Sequence, residues 1–470
     1  MTRLIFIFSL ILVGGSATAQ SISKRIQEAY NRFEADSQLR HATVSLYVVD
    51  AATGKVVFDR NSHIGMAPAS TQKIITSITA FELLGKDFRY QTQLGYDGEL
   101  NAGVLRGNIY IQCSGDPTFG SWRYVTTKEE TILNAFAQAI GKKGIKSING
   151  NILAFDKLTG SQRIPDGWIW QDIGNYYGAG AGGVNWRENQ YDLLLESGNA
   201  VGDPVKIVKT IPEIVETQFT SELLSAARGS GDNAYIYLAE NGGARPVRGT
   251  IPMGEKSFTI SGSMTHPGAQ LVHALNNKLM QSGIAMTPNI HTGSGSSIKS
   301  SPGAQFTAVA THYSPALDSI IYWFNKRSIN LYGEALVKTF AYEKTGKAST
   351  DSGITMLKKF WKEKGLDENE LNMYDGSGLS PLNRVTTHAQ VELLKYAKSK
   401  EWFPYFFTAL PEFNNMKMKS GTISDVKGFC GYHTSKDGKE YIFSFLVNNY
   451  SGRASQLVNK MYRVLDVLKE

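Results

Sequence analysis

Apolar and polar positions alternate over residues 42–50 in a β-rich run. Ala51-Ala52-Thr53-Gly54 then reads as a turn, and residues 55–59 return as a second strand. Just after this hairpin, Ile74, Ile75, Ile78, Phe81 and Leu84 recur at helical spacing. Pro68 disfavours helix before them and Gly85 ends the run. The spacing predicts an amphipathic helix opening near Ser70. From about Tyr90 to about Ser301 the texture is short strands and glycine-rich turns, with a strand predicted over 151–156 and helices over 128–141 and 268–283. Helical periodicity returns at 316–325 and 331–342, on either side of the polar break Asn325-Lys326-Arg327-Ser328-Ile329-Asn330. A helix over 388–398 follows. Strands over 428–434 and 441–448 are joined by a Lys436-Asp437-Gly438-Lys439 hairpin turn, and an amphipathic helix spans 454–469. This is a mixed α/β (α+β) chain in which 91–309 reads as an insertion.

The first residues have a different character. Met1-Thr2-Arg3 is a short basic segment, Leu4 to Val13 is apolar, and Ala17-Thr18-Ala19 is a small-x-small cleavage site. These features predict a signal peptide over 1–19, cleavage near Ala19, and a periplasmic or secreted protein with no transmembrane segment in the mature chain. The only cysteines, Cys113 and Cys430, could pair in an oxidising compartment but make no disulfide framework. The eight histidines are scattered singly with no zinc spacing, so each reads as structural and no metal is expected. A net charge of +7 is spread without a basic run or nucleic-acid motif, so no nucleic-acid partner is expected.

The candidate chemistry starts at Ala67-Pro68-Ala69-Ser70-Thr71-Gln72-Lys73. A serine at a helix N-terminus with a lysine one turn later suits a nucleophile and its base. The free N–H groups there favour a developing oxyanion. To act as a base the lysine must be neutral, which requires burial or a cationic neighbour; a fall of about 3 pKa units corresponds to roughly 4 kcal/mol. Ser-x-x-Lys spacing is common by chance and recurs at Ser21–Lys24, Ser296–Lys299 and Ser424–Lys427. Only Ser70 opens a helix after a strand hairpin.

Two further motifs support Ser70. The polar break can project Ser328 and Asn330 into a cleft, whereas the literal copy Ser147-Ile148-Asn149 precedes Gly150 in a turn-like setting. Lys419-Ser420-Gly421-Thr422 precedes a predicted strand pair, so a cation and hydroxyls can line a sheet edge, as recognition of a carboxylate requires. The more literal Lys344-Thr345-Gly346 reads instead as a helix C-terminus stopped by Gly346.

Ser-x-x-Lys, Ser-Asp-Asn and Lys-Thr-Gly together form the signature of class A β-lactamases and penicillin-binding proteins, and here the trio stands as Ser70–Lys73, Ser328–Asn330 and Lys419–Gly421 in the same order. Ser328 lies 258 residues after Ser70 (328 − 70). With that insertion, and with Ser114-Gly115-Asp116-Pro117-Thr118, Tyr177-Gly178-Ala179 and Asp375-Gly376-Ser377-Gly378-Leu379-Ser380, the chain resembles the class C low-molecular-mass penicillin-binding proteins. These are D-alanyl-D-alanine carboxypeptidase/endopeptidases akin to penicillin-binding protein 4. The resemblance implies a serine β-lactamase/transpeptidase-like domain from 20–90 and 310–470, with an antiparallel sheet between helices, and two smaller β-rich domains from 91–309. It implies Ser70 as nucleophile, Lys73 as base, Ser328 as proton relay and Asn330 as holder of the substrate amide. Lys419 with Ser420, Gly421 and Thr422 would bind the terminal carboxylate and complete the oxyanion hole. Peptidoglycan peptides are the implied substrates and β-lactam antibiotics the implied inhibitors, with no metal or organic cofactor.

The sequence departs from those relatives in two places. Ser420 replaces the usual threonine and keeps the hydroxyl. Pro381 stands where relatives often carry an arginine, for which Arg384 is the candidate substitute. Relatives also contact the amine of diaminopimelate with an acidic, aromatic patch, and Asp172, Tyr177 and Trp170 resemble it. The rival readings are a β-lactamase, which would need a dedicated deacylation base, and a catalytically silent peptidoglycan-binding protein on the same fold.

Overall fold

The computed structural model describes residues 21–158, 162–214, 217–240, 242–286 and 306–470. The predicted signal peptide and the Ser296–Lys299 pair lie outside the described residues. The main sheet has six antiparallel strands in the order Glu412–Phe413, Met416–Ile423, Val426–Thr434, Glu440–Asn448, Thr43–Asp50 and Val56–Arg60. The N-terminal hairpin joins the C-terminal strands in a register running from Thr43 opposite Asn448 to Asp50 opposite Tyr441.

Period-two alternation divides these strands between two cores. Leu46, Val48, Phe443 and Phe445 pack with Tyr30, Phe33, Leu457 and Met461, from the helices Ile22–Glu34 and Ala454–Leu465. Tyr47, Val49, Cys430 and Ile442 face the opposite way, against Ile74, Ile78, Phe324, Leu336 and Leu394. With helices on both faces, the strand Glu440–Asn448 is buried along most of its length. Several segments escaped the sequence reading, among them the helices Thr350–Glu363 and Phe403–Ala409, a further helix near the N-terminus and one strand of the main sheet. The helix Ile22–Glu34 is capped by Ser21, whose hydroxyl accepts from Lys24 N at 3.4 Å, so that Ser-x-x-Lys pair is a helix start. The strand Met416–Ile423 puts Met416 and Met418 into one core, while Lys417 and Lys419 take the alternate positions opposite Tyr432 and Cys430.

The helix Lys73–Leu84 is also more deeply placed than its pattern predicts. It is not amphipathic at the surface: every residue from Lys73 to Phe81 is buried. Its hydroxyl residues find partners inside the protein, as buried polar groups must. Thr76 donates to Gly376 O at 2.6 Å, Ser77 accepts from Asn325 Nδ2 at 2.9 Å, and Thr79 accepts from the Trp361 indole at 2.8 Å.

Residues of the insertion build two further cores. Leu94, Ile109, Phe136, Trp186 and Leu275 belong to one, between two four-stranded sheets and the helices Glu129–Lys142 and Pro267–Gln281. Thr307–Tyr313 pairs with Gln91–Tyr96 in one of those sheets, and the chain returns to the main core at Leu317. Tyr191, Leu193, Leu223, Val247 and Ile260 belong to the other core, between two three-stranded sheets. Ser147–Asn149, read as turn-like, is a strand paired with Val104–Arg106. Cys113 and Cys430 are both free, each buried in a different core.

Because the central helix is packed on all sides, Ile78→Ala should leave a cavity. It should destabilise the protein by about 2–5 kcal/mol. Urea unfolding followed by circular dichroism should show the shifted midpoint, and an unchanged midpoint would contradict this packing.

Candidate active site

Ser70 lies in the 3₁₀ turn Ala69–Gln72, which runs directly into the helix Lys73–Leu84. The preceding Ala69 is fully buried with φ of 46°, a left-handed conformation that costs an L-residue about 1–2 kcal/mol. The loop after Asp375 holds it from above. Gly378 has φ of 85°, and a Cβ there would stand 1.9 Å from Ala69 O. On the sheet side a Cβ at Gly421 would stand 2.9 Å from Ser70 N, so only glycine lets the strand pass so near the Ser70 turn.

Lys73 is fully buried, and its Nζ has three polar neighbours. Ser70 Oγ is at 2.9 Å, Asn330 Oδ1 at 2.6 Å and Ser377 O at 2.6 Å. Asn330 Nδ2 donates to Tyr177 O at 2.7 Å, which fixes the amide with its oxygen toward Lys73. The two oxygens accept the two N–H bonds of a neutral amine, leaving its lone pair for the Ser70 hydroxyl. Burial, followed by the charge of Lys419, holds the Lys73 amine well below its ordinary value. This arrangement can take a proton from Ser70.

Lys419 stands in the strand Met416–Ile423, opposite Cys430, rather than ahead of a strand pair. Its Nζ donates to Ser328 Oγ at 3.0 Å and to Ser420 O at 2.8 Å. Burial pushes the ammonium down to about 7. Ser328 reaches it from the break between the helices Leu317–Lys326 and Asn330–Thr345, in a left-handed conformation with φ of 56°. Lys344 is exposed at the far end of the second helix, where Gly346 caps Tyr342 O at 2.8 Å.

A cleft of about 370 Å³ joins these groups. Ser70, Ser328, Asn330 and Thr422 line it together with Asp172, Tyr176, Tyr177 and Tyr235 of the insertion. Tyr177 Oη donates to Asp172 Oδ1 at 3.3 Å, and burial raises the Asp172 carboxyl above its ordinary value despite that bond. Trp170 does not line this cleft. Two positions before Asp172 a helix has turned by about 200°, and the Trp170 indole donates to Leu238 O at 3.2 Å and packs on Tyr237. Pro381 lines the cleft, but Arg384 does not: its guanidinium donates back to Pro381 O at 2.7 Å and Asn383 O at 2.8 Å.

Asp375, which the motif reading quoted without a role, organises the loop above the site. Its carboxylate accepts from Gln72 Nε2, Gly378 N, Asn383 Nδ2, Ser380 N and the Trp168 indole, all within 2.6–2.9 Å. Glu334 beneath it accepts from Gly376 N at 3.0 Å. Burial, followed by the nearby Asp375 charge, raises the Glu334 carboxyl above its ordinary value.

An antiparallel sheet between helices, with a Ser-x-x-Lys turn opening the buried helix, defines the fold of the active-site-serine penicillin-binding proteins and serine β-lactamases. The chain belongs to the D-Ala-D-Ala carboxypeptidase 3 (S13) family, which it matches over residues 26–466. It is 26% identical to the D-alanyl-D-alanine carboxypeptidase of Actinomadura sp. (strain R39), covering 95% of this chain and 86% of that one. It is 24% identical to the D-alanyl-D-alanine carboxypeptidase DacB of Haemophilus influenzae, over 84% of this chain and 83% of that one. The crystal structure of penicillin binding protein 4 (dacB) from Haemophilus influenzae superposes with a TM-score of 0.77, at 20% identity, covering 96% of this chain and all of that one (100%). That protein has also been crystallised in complex with a β-lactam.

The buried cations should be visible directly. A resonance from a ¹³C-labelled lysine Cε should titrate with a midpoint of about 7. It loses its proton as pH rises through that value, and it should vanish in Lys419→Met. If no resonance titrates below the ordinary lysine range, the dry setting assigned to these amines is wrong.

Proposed function

We infer that this protein is a serine-type D-alanyl-D-alanine carboxypeptidase/endopeptidase acting on peptidoglycan stem peptides, and that β-lactams acylate it. The observation that carries the reading is the Lys73 amine, dry and hydrogen-bonded so that its free electron pair faces Ser70 Oγ. Ser70 attacks the carbonyl between the two D-alanines as Lys73 takes its proton. N–H groups of Ser70 and Thr422 receive the oxyanion, which the close approach of Gly421 to Ser70 N supports. Ser328, bonded to Lys419, returns a proton to the leaving D-alanine amine. Water then releases the acyl group from Ser70. Lys419 and Thr422 receive the terminal carboxylate, while Asn330 positions the substrate amide.

The division of labour follows the cores. We assign 20–90 and 310–470 to the transpeptidase-like catalytic domain and 91–309 to two smaller domains that wall the cleft. The apolar start of the chain and the Ala17-Thr18-Ala19 site support export and cleavage near Ala19, hence a periplasmic or secreted protein. Among the described residues no helix is long and apolar enough to cross a membrane.

The test of this function is covalent labelling by fluorescent penicillin, followed by mass spectrometry of muropeptides incubated with the protein. Wild type should label at one mole per mole and release D-alanine from pentapeptides. Ser70→Ala should do neither while keeping its circular dichroism spectrum. Labelling that persists at another serine would overturn the assignment, and rapid turnover of the label would identify a β-lactamase instead.

Among the described residues lining the cleft Asp172 is the one carboxylate, and it is walled by Tyr176, Tyr177 and Tyr235. A substrate ammonium would meet a desolvated negative group there, worth about 1–3 kcal/mol. Acetylating the free amine of a diaminopimelate peptide should therefore lower kcat/KM on wild type about ten-fold or more. On Asp172→Asn the two peptides should be hydrolysed almost alike, with penicillin labelling unchanged. Full discrimination by the variant would move the amine site elsewhere.

A further inference from the structure

Histidines that stand singly in the sequence do not all stand singly in the fold. His63, Glu370 and His388 come from three chain segments and converge away from the catalytic cleft. His388 Nδ1 lies 3.0 and 3.1 Å from the two carboxylate oxygens of Glu370, and His63 Nδ1 lies 3.4 Å from Oε1. The two imidazoles face each other with ring centroids 4.3 Å apart. One ligand atom from each residue lies within 4.8 Å of those of the other two. We propose that His63, Glu370 and His388 form a binding site for a zinc-class divalent cation, closing a clamp on the segment that leads to Ser70.

The distances fit such an ion. With metal–ligand bonds of about 2.0–2.1 Å, neighbouring ligand atoms of a tetrahedron stand roughly 3.3 Å apart, close to the separations seen around Glu370. Two imidazole nitrogens and one carboxylate select zinc and its neighbours over magnesium or calcium, which prefer all-oxygen shells. The carboxylate is pre-positioned: Thr386 Oγ1 donates to its other oxygen, and Glu370 itself is only 12% exposed. Among the described residues no lysine or arginine forms an ion pair with Glu370; its recorded ion-pair partners are the two imidazoles. His63 is 66% exposed, which leaves the fourth tetrahedral position open to water. Outer-shell support of this kind, from Thr386 to a ligating carboxylate, is what holds a metal-binding group in orientation.

The location gives the ion a structural task. His388 N donates to Ser62 O at 3.0 Å, and Met66 and Val385 exchange backbone hydrogen bonds at 3.0 and 2.8 Å. Residues 62–66 are thus already laid along the start of the helix Thr387–Lys398, four residues short of the Ser70 turn. A bound cation would tie the same segments together at their most exposed point.

The experiment is zinc chloride titration of the full-length protein after chelator treatment and desalting, read by calorimetry and by thermal unfolding. Wild type should bind one zinc per chain and melt a few degrees higher once zinc exceeds its Kd about a hundred-fold. Magnesium chloride should leave Tm unchanged. His63→Ala removes an exposed ligand, so it should fold and label with penicillin as wild type does. It should nevertheless lose the zinc-dependent rise and weaken zinc binding about 100-fold or more. His41→Ala, at an exposed histidine outside the cluster, should retain both. No zinc-dependent rise in wild type would overturn the proposal, as would unaltered binding by His63→Ala.

Discussion

A lysine amine without water is the constraint on which the rest of the structure depends. Lys73 sits at the centre of the main core, and burial is the largest cause of its lowered proton affinity. A charged amine there would need several strong acceptors, and a neutral one needs only two. Those two come from distant places: Asn330 Oδ1 from a helix start, and Ser377 O from the Asp375 loop. Both must be fixed to a few tenths of an ångström before the lone pair points at Ser70. Much of the surrounding polar architecture fixes them. Asp375 gathers five donors around the loop carrying Ser377, and Glu334 braces Gly376 from below.

That requirement also wires the insertion into the chemistry. Residues of the insertion touch the groups around Lys73 directly. Tyr177 O orients the Asn330 amide, and the Trp168 indole completes the Asp375 cluster. Two positions farther along the same helix, Tyr332 donates to buried Glu188 at 2.8 Å, and Glu188 also holds Arg123 and Ser121 at 2.7 Å. Arg187, Glu188 and Asn189 are all left-handed, a run of strained residues that an L-chain adopts only when its surroundings over-determine it. Moving the insertion would therefore disturb Asn330 and, through it, Lys73.

These dependences explain what the sequence did and did not disclose. The Ser70 turn, the Ser328–Asn330 break and the choice of Lys419 over Lys344 were legible because each coincides with a change of local periodicity or a helix stop. Lys419's own strand was overlooked, since its apolar alternation stops at Met416 and Met418 before Ser420-Gly421 interrupts it. The apparent polar face of the helix Lys73–Leu84 was misleading for another reason. Thr76, Ser77 and Thr79 are polar, yet each meets a partner supplied by residues about 250–300 positions away, which no periodicity records. Trp170 belonged by proximity in sequence to the aromatic cluster, and one short helix turn was enough to carry it off the cleft.

The two buried lysines finally account for why the site is built from both ends of the chain. Lys73 and Lys419 repel each other, and the Lys419 charge is the second-largest cause of the lowered Lys73 proton affinity. On a flexible loop the two would separate and the effect would disappear. Here Lys73 is held by the central helix and Lys419 by a strand whose neighbour pairs with it residue by residue, Lys419 opposite Cys430. The strand that follows carries the register through to Thr43–Asp50, the hairpin immediately preceding Ser70. The sheet therefore fixes a cation encoded near the C-terminus against a helix encoded near the N-terminus. A substrate carboxylate arriving at Lys419 would offset its charge, and the same rigid spacing would transmit that change to Lys73. In the proposed reaction, carboxylate binding and proton transfer would then be linked electrostatically, with no movement of the fold required.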